Sequence, residues 1–409
     1  MRRGWSVVFT ALFALVLVLT SCSGDKQARS GPVPVPAKSA APLSLTLAPV
    51  AGAGGVPASA EITTTVRNGY VAKVTMVDSR GAVVPGWLRP DGSSWVPAQP
   101  LAYGTGYRVT VSAVGQDNQV TSAATNFTTM ADPGSSRIGT GLYLQEGAVY
   151  GVGMPVVVEF DEPIPAAAKA SVERRLFVDS QPRQVGVWRW YGDRQVLYRP
   201  REYWQPGTVL TVRAALGGLP VGNRFVDVDR SARSTIGPAQ SLLIKDQTKT
   251  LYVYDSGQLV KSFPVSLGKP STPTSSGNFV LMSHEASTRF KTPEYSLTAY
   301  WAERFTWGGQ FLHSAPWSVG EQGSTNVSHG CVNLSNGNAE WIYEHSRIGE
   351  PLTIEGTGTH LSPGDGWTVW DISWDEYLKG SALPHPELAA GTAAPATTGS
   401  AAASSPATK

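Results

Sequence analysis

His313-Ser314-Ala315-Pro316-Trp317 and, one loop later, Ser328-His329-Gly330-Cys331-Val332-Asn333 are the stretch on which the reading of this chain turns. The chain has only two cysteines, Cys22 and Cys331, so Cys331 has at most one possible disulfide partner. A thiol set between histidines, after the apolar pair Phe311-Leu312, has the parts of an activated nucleophile. Thiolates attack carbonyls and thiols hardly do, so an imidazole must take the proton. Two candidates stand near, His313 and His329. His329 is two residues from Cys331 and shares its face only if the segment is extended; on a tight turn it points elsewhere. His313, 18 residues upstream, can approach from a neighbouring strand, as a nucleophile and its base usually meet. Gly330 lets the chain turn sharply, so that successive N–H groups, those of Gly330 and Cys331, can face a developing oxyanion. A second chemistry uses the same residues: His313, His329 and Cys331 as three ligands of a zinc ion, for which no fourth ligand is evident.

The spacing resembles the L,D-transpeptidase (YkuD-type) family, whose pattern is a His followed by [Ser/Thr]-His-Gly-Cys-x-Asn. Six positions agree in type and order: His313, Ser328, His329, Gly330, Cys331 and Asn333. The resemblance covers about residues 239–380, and the upstream arrangement is similar to that of mycobacterial members. It implies a mainly β chain: two tandem Ig-like β-sandwich domains, then a YkuD-type β-sandwich catalytic domain with a small helix and a C-terminal subdomain.

Composition agrees with an extracytoplasmic protein of several domains. The 409 residues include 43 Gly, 30 Pro and 13 Trp, which suits many turns and strands, and a net charge of +2 gives no case for nucleic acid. Arg2-Arg3 precede an apolar run, Val7 to Leu19, too short to span a bilayer comfortably and shaped like an export signal. The run ends Leu19-Thr20-Ser21-Cys22, which resembles a bacterial lipobox. Residues 1–21 are therefore expected to be a lipoprotein signal peptide, with Cys22 lipidated and the chain held on the cell membrane, facing the wall. The alternatives are an uncleaved anchor and a Cys22–Cys331 disulfide; lipidation would exclude the disulfide and leave Cys331 a free thiol.

Residues 22–42 read as a Pro-rich linker. Residues 43–130 alternate in short runs such as Tyr107–Ser112, with turns at Asp91-Gly92 and Gly104 and no helix, as in an antiparallel sandwich. Residues 131–238 repeat the theme at an offset of 101 to 103: Tyr107–Val111 answers to Val209–Val212, and Asp91–Pro97 to Asp193–Pro200. Neither module holds His, Cys or clustered carboxylates, so both are assigned spacing rather than chemistry. The catalytic domain spans 239–356, with strands at Ser241–Lys245, Thr250–Tyr254, Leu259–Ser266, Asn278–Ser283 and Pro351–Glu355. Between them, Gly268–Gly277 reads as a loop whose hydroxyls line a peptide groove, residues 286–310 lack clean periodicity, and Asn336–His345 reads as a helix bracing the nucleophile loop. Residues 357–384 form a Trp-rich subdomain, and 385–409 a compositionally disordered tail.

The resemblance supplies the remaining roles. Residues 286–310 would form a lid over the acyl site, with Tyr295 touching substrate and helping to hold the oxyanion. Gly308 and Gly309 would contact the donor stem through their backbone, Trp317 would help exclude water, and Asn333 would bond to substrate or to the loop. His313 would be oriented by the Ser314 carbonyl, and His329 would shape the turn and acceptor pocket. The implied reaction is peptidoglycan L,D-transpeptidation, a 3→3 cross-link made through a Cys331 thioester with loss of D-Ala from a tetrapeptide donor. The alternatives are an L,D-carboxypeptidase and a non-catalytic wall-binding lipoprotein. The implied partners are donor and acceptor stem peptides and carbapenems; no cofactor or metal is called for, and no acidic cluster matches the calcium site of some relatives. His284, His345 and His360 are read as packing or surface residues.

Overall fold

Along Gly106–Gly115 the side chains of Tyr107, Val109, Val111 and Ala113 are buried, while Arg108 and Thr110 face solvent, the period of a strand with one wet face. The computed structural model, which describes residues 41–291 and 296–385, places this strand at the centre of the first of two sandwich modules. One sheet orders the strands 44–48, 62–67, 94–97 and 86–88; the other orders 53–56, 120–129, 106–115, 69–78 and 83–84.

The second module repeats that order except for the edge strand 83–84, which has no counterpart. One sheet runs 140–142, 156–160, 195–200, 186–191, and its mate runs 149–150, 230–236, 209–214, 176–181. Even the short strand lying parallel to its neighbour recurs, 53–56 on 120–129 and 149–150 on 230–236. The two segment pairs that echo each other in sequence thus occupy equivalent strands. One difference departs from the sequence reading, which assigned only strands here. Ala166–Glu173 is a helix behind Pro165, and its Ala-rich run explains why. At the module junction the Glu61 carboxylate accepts from Arg89 at 2.7 Å and stands 3.5 Å from Arg175.

In the catalytic domain, one sheet orders the strands 258–264, 250–255, 240–245, 351–355 and 277–280. A second orders 285–291, 296–304, 311–314 and 332–334. Leu242, Ile244, Leu251, Val253, Phe279, Leu352 and Ile354 of the first sheet pack on Leu312, Val332 and Leu334 of the second. Ala339 and Ile342, from the helix Asn336–His345, seal the same core. Ser335 caps that helix, its side chain accepting from the Asn338 N–H. The strand read at Asn278–Ser283 stops at Val280. Leu281 and Met282 leave the sheet, their N–H groups bonded to the Glu350 and Arg304 carbonyls.

Residues 286–310, without clean periodicity in sequence, are mostly a β-ribbon. Glu285–Lys291 pairs with Ser296–Arg304 in register from Glu285↔Ala302 to Lys291↔Ser296. Its alternation is hidden because Ser, Thr and Arg fill both faces, and only Ala299, Ala302 and Glu303 are fully buried. Tyr295 lies outside the described residues, as do Cys22, the signal segment and the tail beyond 385.

The Trp-rich segment folds back onto the second module. Trp367, Val369 and Tyr377 belong to that module's core, the Tyr377 hydroxyl donates to the Leu197 carbonyl, and Trp370 Nε1 donates to the Gly153 carbonyl, each at 2.7 Å. The Arg199 guanidinium stacks on Trp370, Trp374 and Tyr377 at 4.5, 5.1 and 4.4 Å. At Gly151 the module meets the catalytic domain so closely that an added Cβ would stand 2.3 Å from the Glu350 amide.

Candidate active site

The site follows from alternation along two short parallel strands. Phe311–Ser314 pairs with Val332–Leu334 in the register Leu312↔Val332, His313↔Asn333 and Ser314↔Leu334. Leu312, Val332 and Leu334 point into the core, so His313 and Asn333 face the other side, where Cys331 directly precedes the strand. His313, Cys331 and Asn333 accordingly line one cleft of about 900 Å³. Phe290, Leu297, Trp317, Gly308, Gly309, Ser328 and His329 line it too.

The imidazole of His313 is 4% exposed and lies between aromatic rings, Phe290 at 5.4 Å and Trp317 at 6.2 Å. Its Nδ1 is 2.9 Å from the Ser314 carbonyl, which can only accept, so Nδ1 carries the proton and Nε2 keeps its lone pair. Burial pushes the His313 pKa down, opposed by that hydrogen bond, so the ring is neutral and basic at neutral pH. Burial also pushes the Cys331 thiol up, to about 11, against lowering by the Phe311 N–H and the Arg304 charge. Cys331 still keeps a part-exposed surface in the cleft and donates to the Gly309 carbonyl at 3.7 Å. Burial thus favours the neutral form of both groups.

Ser328 ties the nucleophile turn together. Its Oγ donates to the Cys331 carbonyl at 2.6 Å and accepts from the Gly330 N–H at 3.1 Å. Of the two amides assigned to the oxyanion, that of Gly330 is thus committed inside the turn. The Cys331 N–H has no acceptor among the described residues. Gly330 sits at φ +119°, a region closed to side chains, although the nearest atom to an added Cβ is 3.7 Å away.

The loop 268–277 braces this turn more than it lines a groove. Thr274 is fully buried, accepts from the Gly268 N–H at 2.8 Å and donates to the Cys331 carbonyl at 3.4 Å. Gln310 accepts from the Ser275 N–H at 3.1 Å, and only Thr272 of the loop's hydroxyls reaches the cleft. Asn333 is 3% exposed and donates to Ser318 Oγ at 3.0 Å, which pins the Trp317 segment to the strand pair. Trp317 itself is 54% exposed over the cleft. His329 is at the rim, its Nε2 3.1 Å from Lys269 Nζ. The Gly308 N–H, assigned to substrate, donates instead to the Asp365 carboxylate at 2.6 Å, while the Gly309 carbonyl takes the thiol. Asp365 arrives from the C-terminal subdomain and has no local sequence signal; Ser328, three residues before the cysteine, does. Among the described residues no three His, Cys, Asp or Glu side chains gather closely enough to hold a metal, so His313, His329 and Cys331 do not assemble as a zinc site.

A part-exposed thiol, a neutral imidazole oriented by a peptide carbonyl and, beside the sulfur, an amide with no acceptor among the described residues define a thiol acyltransferase site on a β-sandwich. Residues 239–354 match the L,D-transpeptidase catalytic domain (YkuD), and residues 53–220 match a bacterial Ig domain that reaches across both modules. L,D-transpeptidase 2 of Mycobacterium tuberculosis (strain CDC 1551 / Oshkosh) is 34% identical over 401 residues, 93% of this chain and 96% of that protein. L,D-transpeptidase 5 of Mycobacterium tuberculosis (strain ATCC 25618 / H37Rv) is 34% identical over 384 residues, 90% of this chain and 82% of that one. A solved L,D-transpeptidase in complex with imipenem is 33% identical, with a TM-score of 0.45, covering 53% of this chain and 99% of that chain. The chain belongs to the L,D-transpeptidase family.

Proposed function

We propose that this protein cross-links peptidoglycan by L,D-transpeptidation through a thioester on Cys331. The observation that carries the reading is the placement of Cys331 and His313 on one face of a parallel strand pair, in one cleft. As Sγ attacks the carbonyl of a donor stem, its proton passes to His313 Nε2. The oxyanion is met by the Cys331 N–H, and loss of such a donor typically costs about 10²–10³ in rate. His313 then protonates the leaving amine, D-Ala. A side-chain amine of a second stem attacks the thioester, gives its proton to His313, and leaves a 3→3 cross-link with the thiol restored. Phe290 and Trp317 flank the imidazole and limit water at the thioester.

The lipobox-like segment supports export and lipidation of Cys22, holding the enzyme on the membrane facing the wall. Labelling with a lipid precursor tests it: label should vanish in Cys22→Ala, and unchanged labelling excludes the anchor. A strained β-lactam carbonyl presents the same electrophile, so carbapenems should add to Cys331 as an intact mass increment. The decisive experiment incubates the enzyme with a disaccharide-tetrapeptide and follows both D-Ala and the Cys331 mass. Cys331→Ala should release none and stay folded; turnover in that variant would refute the nucleophile. Release without cross-linked product in the presence of acceptor would identify a carboxypeptidase instead.

A further inference from the structure

Thioester chemistry leaves open how an amine is chosen over water, and the charges around the cleft bear on that choice. Among the described residues lining it, Glu321 is the only carboxylate. The cations lie elsewhere, Lys291 on the ribbon and Lys269 beside His329. The backbone of Glu321 is fixed. Its N–H bonds to the Ser318 carbonyl at 3.2 Å, and its own carbonyl accepts from the N–H groups of Ser324 and Thr325 at 2.9 and 2.8 Å. Ser318 is in turn held by Asn333, the strand partner of His313, so Glu321 is tied to the base through two hydrogen bonds and one β-bridge. Its carboxylate lines the cleft, is only part-exposed and makes no hydrogen bond or ion pair with any described residue. A carboxylate held in a cleft by its backbone, with no cation paired to it among the described residues, is set to receive one from outside.

We infer that Glu321 docks the cationic side-chain amine of the acceptor stem and so directs the thioester toward aminolysis. This rests on the acyl-transfer reading above. An acceptor amine arrives in water as an ammonium ion, which Glu321 attracts while the lysines favour the stem carboxylates. One proton leaves to solvent; the freed lone pair attacks the thioester carbonyl, the C–N bond forms and the C–S bond breaks. The second proton passes from nitrogen to His313 Nε2 and from there to the departing sulfur. Glu321 is thus a positioning residue for the nucleophile, and it exchanges no proton itself.

The test uses the full-length enzyme, a disaccharide-tetrapeptide donor and a tripeptide stem with a free side-chain amine. Acyl-enzyme formation is measured by mass without acceptor, a half-reaction that reports fold and thiol reactivity. Cross-linking is then measured against acceptor concentration. Glu321→Gln should raise the acceptor KM roughly two- to fivefold with kcat little changed, the range expected of a part-exposed ion pair. It should also flatten the rise of that KM with salt, and Glu321→Asp should restore part of both. An acceptor KM in Glu321→Gln equal to that of the wild type, with normal acylation, overturns this assignment alone. Slowed acylation in the same variant also overturns it, placing Glu321 with the donor. Absence of acylation in the wild type removes the acyl-transfer reading and this assignment together.

Discussion

The neutral state of the thiol and imidazole can be tested by separating the ionisation of Cys331 from its acylation. A thiol raised from 9.0 to about 11 holds ~100-fold less thiolate at any pH below both values. At neutral pH the ionised fraction is then ~10⁻⁴, and the shift corresponds to ~2.7 kcal/mol favouring the protonated form. Iodoacetamide reacts with thiolate alone, so alkylation of Cys331, followed by peptide mass, should climb about tenfold per pH unit from about pH 6 to about pH 10 without a plateau. Acylation by the tetrapeptide donor should behave otherwise, because the base is neutral His313. Its pKa is depressed, so acylation should already be near its maximum at pH 7 and fall only on the acid side of the ordinary 6.5, as the ring protonates. His313→Gln should abolish acylation and leave alkylation at high pH nearly unchanged. Alkylation that levels off near neutral pH, with a plateau that His313→Gln moves upward, would refute a neutral pair. That result would mean a preformed thiolate–imidazolium pair, and burial would not be the dominant influence on the sulfur.

Gly330→Ala meets no steric obstacle within 3.7 Å, yet forces a side chain to φ +119°. It should cost about 1–3 kcal/mol in stability by chemical denaturation and slow acylation more than tenfold, as the Cys331 N–H moves off target. Asp365→Ala removes the acceptor of the Gly308 N–H and loosens the Gly309 carbonyl that holds the thiol. Acylation should slow while the unfolding free energy falls by only about 1 kcal/mol, since Gly308 is exposed. Behind the site, burial pushes the Glu303 carboxyl up to about 8, with Ser346 bonding opposing it and Glu350 nearby adding to it. A raised folded pKa means that stability is full below the unfolded value of 4.5 and is lost as pH rises through about 8, on the order of 1.4 kcal/mol per unit. Thermal unfolding from pH 5 to 9 should therefore fall less steeply in Glu303→Gln, and an unchanged slope would exclude Glu303 as its source.

Local patterning carried much of this protein's architecture. Alternation along Tyr107–Ser112 and Thr250–Tyr254, the hairpin at Asp255–Gln258 and the periodic Ala339, Ile342 and Tyr343 are short-range features, and each stands as an element in the structure. The echo between 91–111 and 193–212 was legible because equivalent strands of two modules bear similar residues. The thiol, its base and the turn glycine were legible because their chemistry restricts residue type within a span of 18 positions. What tertiary structure alone decided is everything set by contacts across the chain. The ribbon 285–304 shows itself only through its pairing, since neither face is uniformly apolar. The protonation of Cys331 and His313 comes from the bulk packed around them. Asp365 reaches Gly308 from 57 residues away, and the Gly330 amide turns inward to Ser328 because the loop's carbonyls and hydroxyls satisfy one another. Sequence sets which groups can react; their ionisation and their free hydrogen bonds depend on solvent exclusion, which exists only once distant segments have closed around the sulfur.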